Sequence, residues 1–159
     1  MRTIKVGKFD SAITIYNAIG HLTKADFEKA LRNIGRNLNW SGLYIFDIDN
    51  RNMNYKSSNA RDIDATWMVG KATIHKIQKC KLNRRTGMLA MRDLLTIRKG
   101  SSKPEMLSKT RWTMQLYSAE ELREILARNG FEVLEQIGMD GSKFSDRNTP
   151  NILTIAQKR

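Results

Sequence analysis

From Phe9 the chain is apolar and β-prone through Ile15 and runs on to Asn17, a pattern that predicts a strand buried on both faces. Thr23 stands three residues before Asp26, the spacing of a capping box, and Leu22 just ahead of it can staple onto Phe27. Phe27, Ala30, Leu31, Ile34 and Leu38 recur at helical spacing and give the helix one apolar face. Asn39-Trp40-Ser41-Gly42 reads as the helix stop, and residues 43–46 read as a second buried strand. Two such strands joined by one helix predict a parallel pair with a right-handed crossover.

The next stretch, 47–65, is polar and rich in Asn and reads as a loop. Residues 72–82 and 88–98 are strand-like on either side of Asn83-Arg84-Arg85-Thr86-Gly87, a hairpin turn in which Gly87 supplies positive φ. Leu89, Met91, Leu95 and Ile97 share one side of the returning strand, and Asp93 interrupts that side. Trp112, Met114 and Leu116 alternate through 111–117, which makes three antiparallel strands in all. Ser118 then caps a helix, with Glu121 at the capping-box position, and Leu122, Ile125 and Leu126 face inward. Gly130 ends it in the left-handed conformation. Strands at 131–137 and 151–156 close the chain, separated by a polar loop. The pattern divides into an α/β part at 1–65, an antiparallel insert at 66–117 and a closing part at 118–159.

Composition sharpens this frame. A chain of 159 residues that is 40% hydrophobic can build a core, and no run is long and apolar enough to span a bilayer. No signal peptide opens the sequence and Cys80 is the only cysteine, so no internal disulfide forms and the expectation is a cytoplasmic protein without membrane contact. Formal net charge is +12, yet residues 71–111 hold twelve Lys and Arg against Asp93 and Glu105. The charge therefore belongs to the insert. Lys76, Lys79, Lys81, Arg84, Arg85, Arg92, Arg98 and Lys99 cluster around one hairpin turn. Arg84 and Arg85 at its tip are candidates for contact with nucleic acid or another polyanion. The plainer reading is a solvated basic face, because Trp67 and Trp112 stand only at its borders and few aromatics are available to stack on bases.

Several segments together resemble a known family. Phe9-Asp10 entering a strand, Asn17-Ala18-Ile19-Gly20-His21-Leu22 leaving it, and Gly42-Leu43-Tyr44-Ile45-Phe46-Asp47 resemble the fourth strand, its loop and the fifth strand of class I S-adenosylmethionine-dependent methyltransferases. Tyr117-Ser118-Ala119-Glu120-Glu121-Leu122 and Asn129-Gly130-Phe131-Glu132-Val133 resemble the late helix and sixth strand. The resemblance implies an α/β fold, the C-terminal part of a Rossmann-like methyltransferase sheet carrying a small antiparallel β insert. It implies S-adenosyl-L-methionine as cofactor and a small-molecule or nucleic-acid methyl acceptor. It places Asn17 and Ala18, whose backbone would meet the cofactor's amino group, and His21 beside the cofactor. Met1 would directly follow the family's acidic residue, where that acid and its neighbour flank the adenine, and is a further cofactor-binding candidate.

The family's glycine-rich turn, Gly-Xaa-Gly, has no match in this sequence. The resemblance thus implies a chain that begins in mid-domain, with a homo-oligomer or a partner chain completing the sheet. Asp47 and Asp49 end the fifth strand at the ligand edge, where they can orient a substrate or act as a base, although solvated turn residues are the commoner reading. His75 and Cys80 are too few and wrongly spaced for a metal site, and no catalytic base is assigned. The alternative to methyl transfer is a non-enzymatic basic α/β module that binds polyanions.

Overall fold

A computed structural model describes residues 3–53 and 61–159 of the chain. The elements follow in the order β1 (Phe9–Thr14), a 3-10 turn (Ala18–His21), α1 (Lys24–Asn37), β2 (Leu38–Asp49), β3 (Ile63–Val69), β4 (Ala72–Asn83), β5 (Met88–Lys99), β6 (Glu105–Gln115), α2 (Ala119–Arg128), β7 (Phe131–Ile137) and β8 (Asn151–Lys158). They divide into two compact units, Met1–Asn54 with Gln115–Arg159, and Tyr55–Met114.

The first unit is a four-stranded sheet in the order β1-β2-β8-β7. β1 and β2 are parallel, with Ile13 opposite Ile45, and the α1 segment joins them. β8 runs antiparallel to both β2 and β7. Thr23 Oγ1 accepts the Asp26 N–H at 3.1 Å, and Ser118 Oγ accepts the Glu121 N–H at 3.2 Å, so both helices start at the caps the sequence predicts. Phe27 and Leu31 of α1, Leu122, Ile125 and Leu126 of α2, and Phe46, Ile48 and Ile152 of the sheet are almost wholly buried in one core. At its centre the Phe27 ring meets Phe46 edge-on at 5.8 Å and Tyr117 at 5.6 Å, while Tyr44 stacks on Phe46 at 4.8 Å. Arg128 of α2 donates to Glu28 Oε1 of α1 at 2.7 Å, and this holds the Glu28 carboxyl below its ordinary range.

Three expectations need correction in this unit. β1 is not buried on both faces, and Ile13 is 63% exposed. Both helices pack into one core on the face of Ala12 and Thr14, and among the described residues of this unit no helix covers the face of Ile13. Helix α1 ends at Asn37 rather than passing through Leu38, and residues 39–42 open β2 instead of forming a stop. The chain turns there by a bulge: Phe9 pairs with Leu38 but Ser11 pairs with Leu43, with Ser41 at φ 60°. Gly42 fits closely at this point, since a Cβ would lie 3.0 Å from the Asn39 carbonyl oxygen and 3.3 Å from that of Asp10, so that a larger residue would have to displace backbone.

The second unit is a sheet in the order β3-β4-β5-β6. It has four strands where the sequence predicts three. The extra one, β3, lies partly in the stretch read as loop and pairs antiparallel with β4 from Ile63–Gln78 to Val69–Ala72. β4 and β5 pair in full register from Ala72–Lys99 to Asn83–Met88 around the predicted turn, where Gly87 takes φ 74°. Asp93 does sit on the face of Leu89, Met91, Leu95 and Ile97. The Trp112 Nε1–H donates to its Oδ2 at 3.2 Å, which gives that carboxyl a partner on the apolar face.

Candidate functional site

β1 delivers the chain to the carboxyl edge of the parallel pair, the edge at which ligands bind in open α/β sheets. There Tyr16 (φ 61°) and Asn17 (φ 57°, ψ 25°) both adopt the left-handed conformation. Asn tolerates that region better than most residues, whereas an aromatic side chain does not. Non-glycine residues held this way cost roughly 1–3 kcal/mol each and persist where the surroundings over-determine them. Here the surroundings are the end of β2. Asp47 Oδ2 accepts the Asn17 N–H at 3.0 Å, and Asn17 Oδ1 accepts the Asp49 N–H at 3.2 Å. Ala18 then opens the 3-10 turn, closed by the Gly20 N–H to the Asn17 carbonyl at 3.0 Å, and His21 ends it on the surface.

The carboxyl group at the centre of this arrangement is Asp47. It is 4% exposed, so it is not the solvated turn residue the sequence favours. Its Oδ1 is buried without a hydrogen-bond partner among the described residues. A buried acceptor left unpaired costs about 1–3 kcal/mol and is a point at which a donor or a cation is welcome. Burial pushes the neighbouring Tyr44 phenol well above its usual range, and the Asp47 charge adds to that shift. Asp49 is tied instead: its Oδ1 accepts the Asn151 amide at 2.6 Å. Beyond it Asn50 is fully buried, donating to the carbonyls of Asp146 (2.7 Å) and Thr149 (2.9 Å) and accepting the Asn52 N–H at 2.9 Å. This fastens the β2 end to the loop before β8.

Of the predicted site residues, Asn17, Ala18 and His21 therefore share one short loop at the carboxyl edge, and Met1 lies outside the described residues. From sequence, Asp47 is weighed as a substrate-orienting group or base but a solvated turn residue is favoured, and Tyr16 is not singled out. The one local signal was the Asn at a strand end; the Asp47–Asn17 link spans 30 residues and carries no periodicity.

The basic hairpin fares differently. Register puts Lys79 and Lys81 on one face with Arg92 and Arg98, and Lys76 and Lys99 on the other. Lys79 is paired with Asp62 at 3.1 Å. Lys81, Arg92 and Arg98 are exposed on the first of these faces, and Arg84 and Arg85 are exposed together at the tip. In the same unit Cys80 Sγ donates to the Arg61 carbonyl at 3.2 Å, and burial pushes its thiol up, which makes it a poor nucleophile. His75 faces Asp64 at 2.6 Å. Among the described residues no group of three or more His, Cys, Asp and Glu side chains is placed to hold a metal, and no helix is long and apolar enough to cross a membrane.

No protein-family model and no curated protein sequence matches the chain. Solved structures do. An S-adenosylmethionine-dependent methyltransferase from Clostridium acetobutylicum superposes with a TM-score of 0.76 at 14% identity, over 99% of this chain and 61% of that one. The CcbJ methyltransferase from Streptomyces caelestis gives a TM-score of 0.74 at 10% identity, over 99% of this chain and 65% of that one. An amino pentose methyltransferase from Micromonospora echinaspora, involved in calicheamicin biosynthesis and solved with S-adenosylmethionine bound, gives a TM-score of 0.74 at 13% identity, over 99% and 62%. The chain spans less than two thirds of the length of each. Across that span it has the fold of the S-adenosylmethionine-dependent methyltransferases.

Proposed function

We propose that the first unit is the part of an S-adenosylmethionine-dependent methyltransferase that receives the amino-acid end of the cofactor. The observation that carries this is the left-handed Asn17 in the loop after β1, its N–H held by a buried Asp47 whose second oxygen has no partner among the described residues. The residues suit the group. The α-ammonium of the cofactor brings positive charge and three donors. Backbone at Asn17 and Ala18 supplies acceptors at the strand end, Asp47 supplies the complementary charge behind them, and exposed His21 flanks the opening.

Bound there, the cofactor supplies an electrophilic methyl group on its sulfonium. The chain's own work is positioning, which is the larger part of catalysis in a direct displacement. Rigid attachment of the Asn17 loop to β2 through Asp47 and Asp49 serves that purpose. Of the two acceptor classes, a small-molecule amine is the better supported. One matched structure is an amino pentose methyltransferase, whereas the basic hairpin offers few aromatics to stack on bases.

Asp47→Asn tests the assignment. The amide keeps an oxygen for the Asn17 N–H but removes the charge. The chain is expected to melt within about 3 °C of the parent, a shift worth under ~1 kcal/mol, while its dissociation constant for S-adenosylhomocysteine rises about tenfold, or ~1.4 kcal/mol. Unchanged affinity in a folded variant would remove Asp47 from the site.

A further inference from the structure

The opposite end of the same sheet carries a concavity. It lies where β1, β2 and β7 begin and β8 ends, roughly 25 Å along the strands from Asn17 and Asp47. The cavity measures about 810 Å³, within the range of small-ligand sites. Lys5, Lys8, Arg32, Arg36, Lys158 and Arg159 line it, and no Asp or Glu does.

This is a built wall rather than a scatter of surface cations. The segment bearing Lys5 is pinned to α1 on both sides: Asn33 and Asn37 each donate a side-chain amide N–H to the Ile4 carbonyl at 2.9 Å, and Asn37 Oδ1 accepts the Val6 N–H at 2.9 Å. The helix contributes a negative pole at its C-terminal end, and two of the cations answer it. Lys158 Nζ donates to the Leu38 carbonyl at 2.9 Å and Lys8 Nζ at 3.4 Å. Arg32 donates to Asn129 Oδ1 at 3.1 Å and lies 3.9 Å from Glu28, and Arg159 is paired with Glu132. Lys5 and Arg36 have no carboxylate partner among the described residues. Cations converging on one hollow repel one another, and a multiply charged anion reverses that repulsion.

We propose that this groove binds a compact polyphosphate group, of the size and charge of a di- or triphosphate. Guanidinium forks suit phosphate oxygens, and the lysines add point charges that need no fixed orientation. The site is independent of the cofactor edge.

Calorimetric titration of the 159-residue chain with inorganic tripolyphosphate at low salt tests it. Saturable binding is expected, falling as ionic strength rises. The exposed pair Lys5→Ala/Arg36→Ala should weaken it at least tenfold with an unchanged melting temperature, whereas Arg84→Ala/Arg85→Ala should leave it within twofold. Loss in the hairpin variant with retention in the groove variant would move anion binding to the second unit and overturn the proposal. So would equal binding by both variants and the parent. A single-stranded RNA displacing tripolyphosphate at lower total phosphate concentration would overturn the compact-anion assignment.

Discussion

Phe27→Ala is expected to lower the stability of the first unit by about 3–5 kcal/mol, enough to unfold much of it at 37 °C. Phe27 is fully buried and stands where α1, the sheet and the segment leading into α2 meet. Truncation removes the apolar ring and leaves a cavity that Phe46 and Tyr117 cannot fill without abandoning their own packing. It also deletes two aromatic contacts, at 5.8 and 5.6 Å, each worth roughly 0.5–1.5 kcal/mol beyond area. Phe27→Leu should recover most of the loss. Chemical denaturation followed by far-UV circular dichroism reads the effect, because α1 and α2 both belong to this unit. A loss under about 1.5 kcal/mol would mean that the core is not centred on this ring.

Asn50→Ala is the second large effect, expected at about 2–4 kcal/mol for the loss of one side chain from a fully buried position. Its amide satisfies the carbonyls of Asp146 and Thr149, and its oxygen satisfies the Asn52 N–H. Alanine leaves the buried Thr149 carbonyl without this partner and cuts the part-buried bonds to Asp146 and Asn52. The consequence reaches function, because the same contacts anchor the end of β2 that presents Asp47 and Asp49 to the Asn17 loop. Asn52→Ala is the control. Its side chain reaches Asp146 on the surface at 3.1–3.2 Å, where an exchange for water is nearly free. Equal losses in the two variants, measured by denaturation, would contradict the role given to Asn50.

What the sequence made legible is what is decided locally. Thr23 with Asp26 and Ser118 with Glu121 mark helix starts because a cap and its N–H lie three residues apart. Gly87 and Gly130 mark turns because only glycine takes those backbone angles freely. The Asn17-Ala18 strand end was legible by resemblance alone. Other features depend on residues far away in the chain. β1 has the composition of a doubly buried strand, yet its exposure is decided by the two helices, which both pack on the other face. Leu38 keeps the helical period, but the bulge against Phe9 and Ser11 takes it into β2. β3 was hidden by the polar stretch before it and is defined by its pairing with β4. Asp47 looks like any carboxyl residue after a strand until Asn17 is folded against it. The cationic groove is assembled from both ends of the chain, and no window of sequence contains it.

The central claim is that the loop after β1, braced by Asp47, receives the amino-acid end of S-adenosylmethionine. Titrating the isotopically labelled chain with S-adenosylhomocysteine and following backbone amide resonances tests it most directly. The sequence contains no Gly-Xaa-Gly turn to grip the rest of the ligand, so binding should be weak, with a dissociation constant of about 0.1–1 mM. The shifts should be confined to Asn17, Ala18, His21 and the Asp47–Asp49 strand end. A folded chain whose spectrum does not move at millimolar ligand, or moves only at residues remote from that loop, would contradict it.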